Sequence, residues 1–260
     1  MVNDSLPKAF IKFGKFEYMR KYIDEGELRF STANEFCNML IGNDKIADKF
    51  EGSFYYSATN LCIAPVYSDD VDGIDFGDVT KIDGEFNLRI TNQTIQHIPI
   101  HCLYSYDGAP MNALVRLDNY DQLVSGFGDY NTAVIIYRPR EFLDKLRCKF
   151  KIYAESVKYT DRTPLETEVE NMAQCLYYKR REFAEQKEFR ISLPDEQIKK
   201  AENYVFGSLL DVAYSVPLNI LKKGFIIAEN EAELERIKRR YDGTKLEFGE
   251  CKKFYDVRNK

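Results

Sequence analysis

The chain has 260 residues, of which 44% are hydrophobic and 30% charged; this is enough apolar content for a sizeable core and excludes a disordered chain or one that folds only around disulfides or a metal. Lys plus Arg total 37 and Asp plus Glu total 42, a formal charge of −5, which excludes a sequence-independent nucleic-acid coat while leaving room for a local basic site. No apolar run approaches the roughly 20 residues of a membrane span and no signal pattern opens the chain, so the expectation is a cytoplasmic protein without a membrane partner.

In chain order, Ala9–Phe13 alternates as a strand and Glu17–Glu25 carries Tyr18, Met19, Tyr22 and Ile23 at helical spacing. Gly26 stands where a helix C-terminus favours glycine. Glu27–Ser31 reads as a second strand and Thr32–Cys37 as a short turn or helix. Asp44–Glu51 reads as a charged loop, and Gly52–Asn60 as an aromatic strand. Six Asp and two Gly within 68–83 predict a flexible acidic loop. Strands follow at Phe86–Thr91 and His97–Tyr106, a weak helix at Asp118–Ser125 and a buried strand at Thr132–Tyr137.

Pro139 sits at a first helical position ahead of Phe142, Leu143 and Leu146, and Lys151–Lys158 reads as another strand. The longest helix is expected over 164–184. Glu188–Leu193 alternates, with Glu188, Arg190 and Ser192 on a polar face turned to solvent or a cleft. Strand, helix, strand, helix and strand then follow at Val212–Val216, Pro217–Lys223, Gly224–Ala228, Ala232–Tyr241 and Lys245–Phe248. Helices and strands are interspersed without βα alternation, so the expected fold is one α+β domain over 1–260 with a mixed, largely antiparallel sheet.

Several chemistries find little support. Cys37, Cys62, Cys102, Cys148, Cys175 and Cys251 form no Cys-x-x-Cys clip and read mainly as small core residues. His97 and His101 flank Pro99 in a strand-like stretch, which disfavours a helical metal pair and favours a structural role. Asp69, Asp70, Asp72, Asp75 and Asp78 resemble a calcium loop in composition only, since Gly77 falls where a ligand is needed. No metal site is expected. Neither a phosphate-binding Gly-x-x-x-x-Gly-Lys-Ser/Thr loop nor a Gly-x-Gly-x-x-Gly fingerprint is present.

The richest stretch runs from Tyr178 to Ile191, a basic segment leading into a strand that starts with a carboxylate. Composition alone favours a solvated, salt-bridged face. A first functional reading makes Glu188 the carboxylate that stabilises an oxocarbenium-like sugar as a glycosidic bond of NAD breaks, with Lys12 on the diphosphate and an aromatic face on the nicotinamide. A second makes Glu185-Gln186-Lys187, with Asp161, a magnesium-dependent nuclease motif.

Phe10-Ile11-Lys12-Phe13, Gly26-Glu27-Leu28-Arg29-Phe30-Ser31, Asn34-Glu35-Phe36 and Asp48-Lys49-Phe50-Glu51-Gly52 come first. Lys179, Phe183 and Gln186-Lys187-Glu188-Phe189-Arg190 come later, followed by Val216-Pro217-Leu218-Asn219-Ile220 and Gly224-Phe225-Ile226-Ile227. Together they resemble a prokaryotic family of unknown-function proteins linked to toxin–antitoxin and phage-defence loci, and through it ADP-ribosyltransferase-like proteins. Here the family's Phe-Asn-Asp-Pro-Phe-Glu block is split by an insertion, and its tryptophan segment is missing.

The resemblance implies an ADP-ribosyltransferase-like fold and an NAD-consuming toxin or defence effector that modifies RNA, DNA or protein, with a possible antitoxin partner. It implies catalytic roles for Glu188, for Ser31 (or Tyr104) as the middle motif residue, and for Arg190, with cofactor contacts at Lys12, Phe13, Phe30 and Tyr104, and acceptor contacts at Lys179, Arg180 and Arg181. The alternative from another class is a non-catalytic binding or sensor module, in which Glu188 is simply ion-paired on a closed surface.

Overall fold

A computed structural model describes residues 6–38, 48, 50–64, 66–68, 75–125 and 128–241. The chain opens with β1 (Ala9–Gly14), α1 (Phe16–Asp24), β2 (Glu27–Phe30) and α2 (Ala33–Asn38). Next come β3 (Ser53–Ile63), β4 (Val66–Ser68), β5 (Asp75–Phe76), β6 (Thr80–Thr91), α3 (Gln93–Gln96), β7 (Ile100–Tyr106), β8 (Ala113–Val115) and α4 (Tyr120–Val124). The second half holds β9 (Thr132–Ile136), α5 (Pro139–Arg147), β10 (Tyr153–Ser156), β11 (Lys158–Thr160), β12 (Tyr178–Arg180), β13 (Glu188–Ser192) and β14 (Glu202–Val205). It ends with β15 (Ala213–Pro217), α6 (Leu218–Lys223), β16 (Phe225–Ile227) and α7 (Glu231–Arg240). This is the expected mixed α+β class with largely antiparallel pairing; the pairing of β11 with β12 is parallel.

The chain forms two compact units. Unit 1 falls within Met1–Leu28, Leu103–Lys149 and Tyr204–Lys260, and unit 2 within Arg29–Cys102 and Phe150–Asn203.

Unit 1 is built on β1, whose one edge pairs with β7 (Ile11 opposite Tyr104) and whose other pairs with β9 (Ile11 opposite Ile135). Strand β15 continues the array on β9. Every residue of β9 is buried, which accounts for its unbroken apolar sequence. Ile11, Phe13, Ile135, Val216 and Leu221 share one apolar cluster. Helix α5, with Pro139 at its start, buries Phe142, Leu143 and Leu146, and Phe142 meets Phe10 edge-on at 6.3 Å.

Gly26 ends the α1 turn at φ +64°, and a Cβ there would lie 2.0 Å from the carbonyl oxygen of Gly207. Both the left-handed backbone and this approach require glycine. Gly26→Ala is therefore expected to cost well over about 1 kcal/mol. Urea unfolding checks it, since a smaller loss means the two segments separate without cost.

Unit 2 pairs β10 with β13 antiparallel, placing Glu155 opposite Arg190 and Tyr153 opposite Ser192. A long ribbon joins β3 to β6. Ile100, Phe54, Ile95, Cys175, Leu176 and Tyr177 form its apolar cluster.

Several expectations are corrected here. The long helix over 164–184 is absent. Its place is taken by 3-10 turns at Glu166–Glu168 and Met172–Tyr177, then β12, then a 3-10 turn at Arg181–Gln186. The backbone of Tyr178–Arg180 is held in the β11 ladder instead, and the Pro164 carbonyl accepts from the Tyr55 N–H at 2.8 Å. Tertiary pairing thus overrides helix propensity.

The acidic stretch 68–83 is not wholly a loop, because β5 and the start of β6 lie in it; Asp69, Asp70 and Asp72 fall outside the described residues. His97 caps α3, with Asn92 as the N-cap, and so does not share a strand with His101. Among the described cysteines only Cys175 is buried, while Cys62 and Cys148 are exposed. The expected strand over 245–248 lies outside the described residues. No described helix is long and apolar enough to cross a membrane.

Candidate functional site

The site is a buried cluster of charges in unit 2. Strand β13 carries Glu188 and Arg190 on one face, as the period of two requires. That face, expected to turn to solvent or a cleft, is buried at Arg190 and Ser192, which are 1% and 3% exposed. Lys187, just before the strand, has φ 41°, a left-handed conformation uncommon in a non-glycine residue. It ends the 3-10 turn of Arg181–Gln186 and starts the strand.

Lys179 of β12 donates from Nζ to Gln186 Oε1 at 2.6 Å and to Glu188 Oε1 at 2.8 Å. Arg190 Nε donates to the other oxygen, Oε2, at 2.8 Å, and its Nη2 ion-pairs with the same oxygen at 2.7 Å. Its Nη1 donates to the Leu176 carbonyl. Nη2 also contacts Glu51 Oε1. Neither oxygen of Glu51 accepts a well-formed hydrogen bond, so that contact is ionic without favourable hydrogen-bond geometry. The Glu188 N–H donates to the Tyr159 hydroxyl at 2.8 Å.

The segment bearing Glu51 is fixed from several sides. The Gln96 amide donates to the backbone carbonyls of Glu51 and Gly52 at 2.9 and 3.0 Å. Asp48 accepts from the Phe50 N–H at 3.0 Å and from Arg180 Nε at 3.3 Å.

The two carboxyls are driven in opposite directions. Burial pushes Glu51 upward, and it stays raised despite the opposing attraction of Arg190 and Lys179. Burial would also raise Glu188, but Lys179 and Arg190, each hydrogen-bonded to it, overcome that and hold it at about 2. Such divergence within one cluster is typical of functional sites and also of structural ion networks.

The structure brings together Glu188, Arg190 and Lys179 among the sequence-derived candidates. Sequence reasoning assigned no role to Glu51, Gln186 as a Lys179 partner, or Tyr159. Glu51 stood within the quoted Asp48-to-Gly52 motif, which was the available signal.

The other candidates lie elsewhere. Ser31 exchanges backbone hydrogen bonds with Ile100 at 2.9 and 2.7 Å. Phe30 is fully buried, its ring 5.3 Å from that of His101. His101 Nδ1 donates to the Arg29 carbonyl at 2.8 Å, and His97 Nδ1 to that of Ile198 at 3.1 Å. Lys12, Phe13 and Tyr104 belong to unit 1. Phe13 and Tyr104 are buried there and meet edge-on at 6.3 Å, and the Tyr104 hydroxyl donates to Asn119.

Arg180 pairs with Asp48 and Glu182, whereas Arg181 pairs with Asp161 at the surface. Glu185 is exposed, and among the described residues no group of three or more His, Cys, Asp or Glu is placed to hold a metal ion.

No family model matches the chain, and neither does any curated protein or solved structure.

Proposed function

We propose that the protein is an ADP-ribosyltransferase-like enzyme that consumes NAD, with Glu188 as the carboxylate that stabilises the sugar cation. The observation that carries this reading is convergence. Glu51 comes from one of the sequence blocks behind the resemblance, Lys179, Gln186, Glu188 and Arg190 come from another more than a hundred residues away, and all meet in one cluster. Burying such charges costs several kcal/mol per ion before pairing, so the arrangement calls for a role beyond filling a core.

The chemistry follows from what each side chain leaves available. Lys179 and Arg190 keep Glu188 ionised. Arg190 occupies Oε2 twice, while Oε1 takes only the Lys179 hydrogen bond, so Oε1 retains acceptor capacity for a ribose hydroxyl. As the nicotinamide leaves with the electrons of its ribose bond, the positive charge left on the sugar is stabilised by this fixed anion. The acceptor's nucleophile then bonds to that carbon. The accompanying biological role is that of a toxin or defence effector.

One observation favours the second reading, a non-catalytic binding module: both Glu188 oxygens are already paired, and Arg190 and Glu51 are each 1% exposed. The experiment that separates them is incubation of the protein with nicotinamide-labelled NAD, alone and with RNA, DNA or lysate, for wild type and Glu188→Gln. Nicotinamide release by wild type, reduced at least about a hundredfold in a folded Glu188→Gln, is expected. Silence from folded wild type in every mixture removes the enzyme reading, as does undiminished release by the variant.

A further inference from the structure

The ribbon of β3 and β6 carries apolar side chains out to solvent. In its straight half, Phe54 stands opposite Ile90, Tyr56 opposite Leu88 and Ala58 opposite Phe86. These six share one face, because side chains alternate along a strand and directly opposed residues point the same way. Phe54 is buried in the apolar cluster of unit 2, but Tyr56, Leu88 and Ile90 are 43%, 39% and 37% exposed. Among the described residues β6 pairs with β3 alone, and every residue of β6 apart from Phe86 is exposed. A two-stranded ribbon is marginal in water, and a long bare edge is a template for another strand. We propose that this edge is covered by a second copy of the chain, in a two-fold dimer that pairs β6 with β6 antiparallel about Leu88.

The position of the axis follows from where the edge is protected. Ala58 and Asn60 face Phe86 and Asp83, so β6 bulges between those two residues. The charges Lys81, Asp83 and Glu85 fall at the same place. A bulge and charged side chains keep an edge from pairing, and they guard the outer half of β6 but not Phe86–Thr91. The one charge of that inner segment, Arg89, turns back onto its own ribbon. It donates from Nε and Nη2 to Ser53 Oγ at 3.1 and 2.9 Å and lies 4.9 Å from the centre of the Phe50 ring. An axis at Leu88 makes that residue its own partner and sets Phe86 against Ile90, Asn87 against Arg89 and Glu85 against Thr91. No like charges then stand opposite each other. A two-fold axis normal to the sheet also returns each face to itself, so the apolar residues of both copies join on one face by symmetry. A strand of another protein would need its own sequence to match that phase. Two ribbons become one four-stranded sheet, which meets the minimum of three strands for independent stability.

The dimer is independent of Glu188 chemistry: a protein that dimerises yet leaves NAD intact retains it and loses the enzyme reading. The test is analytical ultracentrifugation of the full chain over a range of concentrations, after thermal unfolding has shown each variant folded. Wild type is expected to sediment as a reversible dimer. Leu88→Lys and Leu88→Glu each place two like charges on the axis and should weaken dimerisation at least about tenfold. An equimolar mixture of these two variants should dimerise again, because the opposite charges then meet across the axis. That recovery separates self-pairing at Leu88 from a general loss of apolar surface. Leu210→Lys, at a leucine of unit 1 that is also exposed, should leave the dimer intact. A monomeric wild type overturns the inference and gives the face to a different partner. It is overturned equally by a dimer indifferent to both Leu88 variants, by a mixture that stays monomeric, or by equal weakening in Leu210→Lys.

Discussion

Arg190→Met is expected to cost about 3–5 kcal/mol of stability, enough to unfold a marginal protein at ordinary temperature. Arg190 is 1% exposed, donates hydrogen bonds to Glu188 and to the Leu176 carbonyl, and ion-pairs with Glu51. Methionine fills much of the volume but supplies no donor. Glu51 then loses its contacting cation inside the protein, and Glu188 is left with Lys179 alone. The loss is mainly the penalty of stranded charge and not the worth of the ion pair itself. That distinction has its own check. Glu51→Gln added to Arg190→Met removes one stranded charge and should restore about 1–2 kcal/mol, a non-additivity expected of directly contacting residues. Urea unfolding of the two single variants and the double variant measures both effects. A cost under about 1 kcal/mol for Arg190→Met would mean that water reaches the cluster freely.

The same cluster bears on function through its charge count. With both carboxyls ionised, Glu51 and Glu188 balance Lys179 and Arg190. Protonation of Glu51, which its upward shift moves to higher pH than usual, leaves the group with one net positive charge. In the reaction proposed above, a neutral or positive surround would weaken the field of Glu188 on a developing sugar cation, even as it favours the ionised carboxylate. The proposed mechanism therefore requires short-range contact at Oε1 more than long-range attraction. A substitution that keeps the hydrogen-bonding shape but removes the charge, Glu188→Gln, is the informative one for that reason.

Much of the local structure was legible in the sequence. β1, α1, α5 and β13 follow from alternation or helical spacing and β9 from an unbroken apolar run, and the bounds differ by a residue or two. The region 164–184 was not legible. Its apolar residues fit a helical face, but β12 is held there by backbone pairing to β11, a partner set by tertiary structure. The candidate site divides in the same way. Glu188 and Arg190 could be placed on one strand face from a period of two, and Lys179 was singled out as a basic residue. What the pattern could not reveal was that this polar face is buried. Alternation distinguishes faces, but an inward polar face stabilised by ion pairs looks the same in sequence as an outward one. Glu51 was hidden for a related reason, since its partner Arg190 lies 139 positions away, beyond any local signal.

The opposed shifts of the two carboxyls predict a domed dependence of stability on pH. Glu188 titrates at about 2 in the fold against an ordinary 4.5. Its stabilisation is complete above pH 4.5 and is lost as pH falls toward 2. At 1.36 kcal/mol per unit, the full loss is about 3 kcal/mol. Glu51 has the opposite sign. Its folded pKa lies above 4.5, so the fold holds that proton more tightly than the unfolded chain does. Its contribution is greatest below pH 4.5 and declines as pH rises through the folded value. The cluster therefore stabilises most near pH 4.5 to 5, with Glu188 producing the acid limb and Glu51 the other. Unfolding free energies measured from pH 2 to 8 should show Glu188→Gln flattening the acid limb and Glu51→Gln flattening the decline above pH 5. The acid limb tests the pairing most directly, because the shift that generates it depends on Lys179 and Arg190 overcoming burial. An acid limb as steep in Glu188→Gln as in wild type would place its origin in other carboxylates and leave Glu188 without the buried ion pairs described for it.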